Sequence, residues 1–74
     1  MISELDPIVL TENLPEEGLQ AGDIGWVVMN HDAGAGYEVE FVTLSGETIS
    51  VVTLPAGAVR PVKTKEIAHA RAVA

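Results

Sequence analysis

Glu38 and Glu40 are the residues of this sequence whose type and spacing come nearest to chemistry. Two positions apart on a strand, they share a face with side chains about 7 Å apart, close enough for desolvation to raise one pKa and create an acid/base pair. Nothing in the chain completes such a site. No serine, threonine or lysine is flanked by a recognisable base. The absence of cysteine removes thiolate nucleophiles, disulfides and zinc ribbons together. His31-Asp32 has the side chains of a metal ligand pair, but no third or fourth ligand stands at a fixed spacing, and His69 lies in the tail. Gly18, Gly22, Gly25, Gly34 and Gly36 make no phosphate loop, because no Gly-Lys-Ser/Thr is present and Gly22-x-x-Gly25 leads into a strand. The expectation is a non-enzymatic chain with no catalytic residues, cofactor or metal.

Charge is more informative. Ten acids and no Lys or Arg precede Arg60, so the body carries −10, while from Arg60 onward four bases and Glu66 give +3. A body of that sign repels a phosphate backbone, which excludes nucleic acid as its partner. No apolar run approaches the ~20 residues of a membrane span. The start MISELDP lacks the basic and apolar regions of a signal peptide. A soluble cytoplasmic protein is therefore expected.

The elements that must position these residues are short strands, since apolar residues recur with period two between Gly, Pro and Asn. At 74 residues and 47% hydrophobic content there is material for one domain. Pro7–Leu10 reads as the first strand. A long polar loop over residues 11–23 follows, with Leu14 and Leu19 spaced to tuck under the sheet and Glu12, Glu16 and Glu17 wet. Residues 24–30 read as a second strand and Tyr37–Val42 as a third, the latter alternating Tyr37, Val39 and Phe41 against Glu38 and Glu40. Ser45-Gly46 turns into a fourth strand, Thr48–Leu54. Pro55–Ala58 has the length of one 3₁₀ turn, and Val59–Val62 reads as an edge strand that tolerates Pro61. Five strands, a long first loop and one turn before the last strand describe an all-β SH3-like barrel over residues 1–62. The basic, alanine-rich tail 63–74 can be helical from Thr64 or frayed.

A two-residue Ser45-Gly46 turn sets Val39 opposite Val52, Tyr37 opposite Leu54, Glu40 beside Val51 and Val42 beside Ile49. Carried through the loop at 30–37, the same pattern pairs Trp26 with Phe41 and Val28 with Val39. The expected core is then Ile24, Trp26, Val28, Tyr37, Val39, Phe41, Val52 and Leu54, with Trp26 packed inside rather than stacking on a ligand. Val27, Met29, Val42, Ile49 and Val51 fall on the outer face around Glu38 and Glu40. So many apolar groups on one face imply a cover: the tail folding back with Lys63, Lys65 or Arg71 near the glutamates, or a docked partner or second copy. The alternative is that twist and a bulge near Val51-Val52 disperse the patch.

The run Glu17-Gly18-Leu19-Gln20-Ala21-Gly22-Asp23-Ile24-Gly25-Trp26-Val27-Val28, then Tyr37–Phe41, Gly46-Glu47-Thr48, Thr53-Leu54-Pro55 and Arg60-Pro61, resembles a family of small bacterial domains of unknown function. The resemblance spans about residues 5–62. It implies a stand-alone SH3-like barrel with no established activity, and an antitoxin or immunity role because some members are encoded beside toxin-like genes. The expectation is a protein-interaction module that docks on a basic partner through Glu38, Glu40, Val42, Ile49 and Val51. Glu12, Glu16 and Glu17 would supply steering charge, and self-association through the outer face or tail is a further possibility. A different reading is a small accessory barrel subunit of a larger enzyme complex, which predicts a constitutive complex with a large subunit.

Overall fold

The cleanest alternation in the sequence becomes strand β3, Gly36–Val42, in which Tyr37, Val39 and Phe41 are buried and the residues between them are half-exposed. Around it the computed structural model, which describes residues 2–73, places β1 (Pro7–Leu10), β2 (Ile24–His31), β4 (Thr48–Pro55) and β5 (Val59–Pro61). They form one open antiparallel sheet in the order β4-β3-β2-β1-β5. Single 3₁₀ turns lie at Pro15–Glu17, Asp32–Gly34 and Ala56–Ala58, the last of them before β5 as expected, and no α-helix is present among the described residues. No helix there is long and apolar enough to cross a membrane.

The sheet curls around a core of Ile8, Leu10, Leu19, Val27, Tyr37, Val39, Phe41, Leu54, Ala58 and Val59. The long first loop closes over one end of it. Leu14 and Leu19 exchange backbone hydrogen bonds of 2.9 and 3.1 Å, so the loop is pinched into a hairpin that buries Leu19 and half-buries Leu14. Asn13 accepts the amide of Ala21 at 3.0 Å and holds the pinch from outside.

Two bulges decide which side chains face that core. In the β3–β4 hairpin Tyr37 pairs with Leu54, Val39 with Val52 and Glu40 with Val51, as expected, but Val42 pairs with Thr48. The turn has three residues rather than two: Thr43 donates to Glu47 and accepts from Gly46, and Gly46 takes a φ of 95° that its lack of a Cβ permits. The register shift that follows leaves Ile49 without a partner in the ladder and packs it against the core, so Ile49 is not an outer-face residue.

The larger correction concerns β2. Trp26 pairs with Glu40 and Val27 with Val39, one residue from the expected register, and a bulge between Val27 and Met29 absorbs the difference before Met29 meets Glu38. Val27 is therefore fully buried, whereas Trp26 is 45% and Val28 40% exposed. Ile24, opposite Val9, also turns to the outer face. The cause is Phe41. A Cβ at Gly25 would lie 2.5 Å from Val39 Cγ1 and 2.8 Å from Phe41 Cε1, so the space beneath β2 holds the phenylalanine ring only because glycine stands there.

The tail is neither helical nor near Glu38 and Glu40. It makes a turn at Lys63–Glu66, with Lys65 at φ 69°, and then runs irregularly over the outer side of β5, β1 and the start of β2. Arg60 grips the Glu66 carboxylate with two hydrogen bonds of 2.9 and 2.7 Å, and the Lys63 amide adds a third. Arg71 Nε donates to Asp23 Oδ1 at 2.8 Å and its Nη2 to the Gly18 carbonyl at 3.1 Å. These claims on Glu66, with the left-handed Lys65, leave no register for the expected helix.

Both anchoring carboxyls are held below their ordinary range, Asp23 chiefly by the Arg71 guanidinium and Glu66, at about 2, by Arg60 and the Lys63 amide. A depressed folded-state pKa stabilises docking above the unfolded value and loses that effect as pH falls through the folded one. For Glu66 the window runs from 4.5 down to about 2. Acidification through it is expected to release residues 63–73 while the sheet stays formed, seen in NMR as tail amides moving to random-coil shifts before those of β3. Loss of both sets at one pH would contradict it.

Candidate functional site

The tail divides the outer face in two. Over β5, β1 and the start of β2 it covers Val9, which is 6% exposed, in a groove also lined by Ile24, Val62, Ile67 and His69. Over β2, β3 and β4 it leaves the face bare. There the register sets Trp26, Glu40 and Val51 in one row across three strands, and Met29, Glu38 and Thr53 in the next. Met29 is 46% and Val51 53% exposed. Three large apolar side chains thus stand in solvent around two carboxylates.

Those carboxylates are held by β4 and β2, not by a pocket. Glu40 Oε2 accepts from Thr48 Oγ1 at 2.8 Å, and Glu38 Oε1 accepts from Thr53 Oγ1 at 3.5 Å and lies 3.6 Å from His31 Nε2. The surface beside Glu38 is an open depression lined by His31, Asp32, Gly36 and Pro55. Among the described residues no three His, Asp or Glu side chains converge as metal ligands. Such a face can bind by apolar contact and charge; it does not enclose a substrate.

Of the expected contact residues, Glu38, Glu40 and Val51 come together on this face, with Val42 half-buried at its margin. Ile49 faces the core. Glu12 and Glu16 are exposed on the first loop, while Glu17 accepts a 2.6 Å bond from Ser50 Oγ. Ser50 pairs with Phe41, so that contact lies on the opposite side of β4 from Val51. The loop charges and the bare face are therefore two surfaces. Trp26 is one of five residues that the sequence pattern places on the wrong face, with Ile24, Val27, Val28 and Ile49, and the signal that locates those of β2 is Gly25, a glycine in a strand interior.

Comparisons with curated proteins and with solved structures found no match. The tail beyond Pro61 lies outside the span that a family profile recognises. Over residues 4–61, well over half of the chain, the sequence matches the family described as Domain of unknown function (DUF4926), and the protein belongs to that family.

Proposed function

We propose that this domain is a non-catalytic interaction module, the acidic antitoxin or immunity partner of a basic toxin-like protein, and that it docks through the bare β2–β3–β4 face. The observation that carries the reading is Trp26, Met29 and Val51 exposed around Glu38 and Glu40 on the half of the sheet that the tail leaves uncovered. Contacts of this kind concentrate binding energy in an aromatic residue, and the acids beside it select a basic surface and speed encounter. The −10 body extends the same preference beyond the patch.

The test is titration of a purified basic protein encoded beside this one. Trp26→Ser is expected to change folding stability by no more than about 1 kcal/mol, as for a surface position, yet to weaken binding by about 2 kcal/mol or more, some thirtyfold. Glu38→Lys with Glu40→Lys is expected to slow association and to flatten its salt dependence. Equal binding by the wild type and both variants would sink the assignment. A constitutive complex with a large enzyme subunit, unaffected by these substitutions, would favour the accessory-subunit reading instead.

A further inference from the structure

An open sheet has two edges, and this chain protects only one of them. The β5 edge is three residues long, carries Arg60, ends at Pro61 without an N–H, and has the tail beside it. Short length, charge and proline are the devices by which natural sheets prevent strand addition. The β4 edge has none of them over Ser50–Leu54, which is uncharged, lacks Gly and Pro, and runs in unbroken register with β3. Among the described residues, no backbone hydrogen bond joins this segment to anything outside its own ladder. Alternate N–H and C=O groups of five consecutive residues thus face away from the sheet.

We propose that β4 pairs antiparallel with β4 of a second copy, about a two-fold axis at Val52. The strand is self-complementary in that register. Val52 meets its own copy, Val51 meets Thr53 of the second copy, and Ser50 meets its Leu54, all uncharged and mostly β-branched pairs of the kind that stabilise antiparallel ladders. The arrangement is isologous and closes after two chains. Like charge does not forbid it. Glu40 stands three strand spacings, about 14 Å, from Glu38 of the second copy, beyond the ~8 Å Debye length at physiological ionic strength. Glu17, bonded to Ser50, is offset from its copy by four residue pairs, about 13 Å along the strand. Pairing joins two bare faces into one on a continuous ten-stranded sheet.

The dimer follows salt in the opposite direction from docking on a basic partner: two chains of −7 associate more tightly as salt is added, and a basic partner leaves. The test is sedimentation equilibrium of the full chain over dilution and salt series, with amide hydrogen exchange at each concentration. Mass is expected to rise from 7.8 kDa toward twice that value, more readily in high salt. The amides of Ser50–Leu54 that point away from β3 are expected to gain protection in step. Val51→Lys with Thr53→Lys places each new lysine beside Glu40 or Glu38 within one chain but sets lysine opposite lysine across the axis, so a folded monomer is expected. A mass fixed at 7.8 kDa, a dimer that leaves the β4 amides unprotected, or a folded double variant that still dimerises overturns the proposal.

Discussion

Phe41→Ala is expected to bring this domain to the edge of unfolding. The ring is 2% exposed and packs beneath Gly25, and truncating a buried phenylalanine costs about 3–5 kcal/mol in lost transfer energy and residual cavity. Domains hold roughly 0.05–0.15 kcal/mol per residue, so a chain of this length holds about 4–11 kcal/mol in all. The loss is therefore a large share of the total. Urea titration is expected to show a midpoint far below that of the wild type with an unchanged slope, and heating a transition lowered by more than about 12 °C. A loss under about 1 kcal/mol, well below the usual cost, would mean that the core is not organised around this ring. Trp26→Ser, equally a loss of one aromatic residue, is the internal comparison. The two were expected to pack together, and the structure predicts that only one of them matters for folding.

Gly25→Ala is expected to destabilise although alanine ordinarily strengthens a strand relative to glycine. The added Cβ would meet Val39 Cγ1 at 2.5 Å and the Phe41 ring at 2.8 and 3.0 Å, and both neighbours are buried. Overpacking of this kind costs about 1–3 kcal/mol, against a gain of about 0.4–1 kcal/mol from the stiffer unfolded chain. The net effect is unfavourable. Gly57→Ala is the control, since nothing lies within 4 Å of the corresponding Cβ and its φ is not in the left-handed region. Adding Val39→Ala to Gly25→Ala is expected to cost less than the two single changes together, because the methyl groups that clash are removed. Strict additivity, or a Gly25→Ala variant as stable as wild type, would contradict the close approach of β2 to Phe41.

The β3–β4 register was legible for a reason that contains an error. The hairpin turn has one residue more than Ser45-Gly46 suggests, and the register shift after Phe41 offsets it, so the pairs from Glu40 to Tyr37 return to the expected partners. Alternation in Tyr37–Phe41 is strong enough to impose that correction, since slipping by one would bury Glu38 and Glu40. Ile49, next to the shift, was the residue misplaced. On β2 no such constraint exists. Ile24, Trp26, Val27, Val28 and Met29 are apolar in nearly unbroken succession, so either face satisfies the pattern.

Local patterning by itself determined the five strands, the 3₁₀ turn before the last of them, the acidic body, and the presence of Glu38, Glu40 and Val51 on one face. These follow from period and composition, which act between neighbours in sequence. Tertiary structure decided which face of β2 looks inward and where the tail goes. The first rests on a phenylalanine ring fitting against a glycine one strand away, and the second on Arg71 finding Asp23, 48 residues earlier in the chain. Packing volume and ion pairing depend on distances that only the folded chain defines, and those distances set Trp26 in solvent on the β2 flank of the uncovered face, beside Glu40.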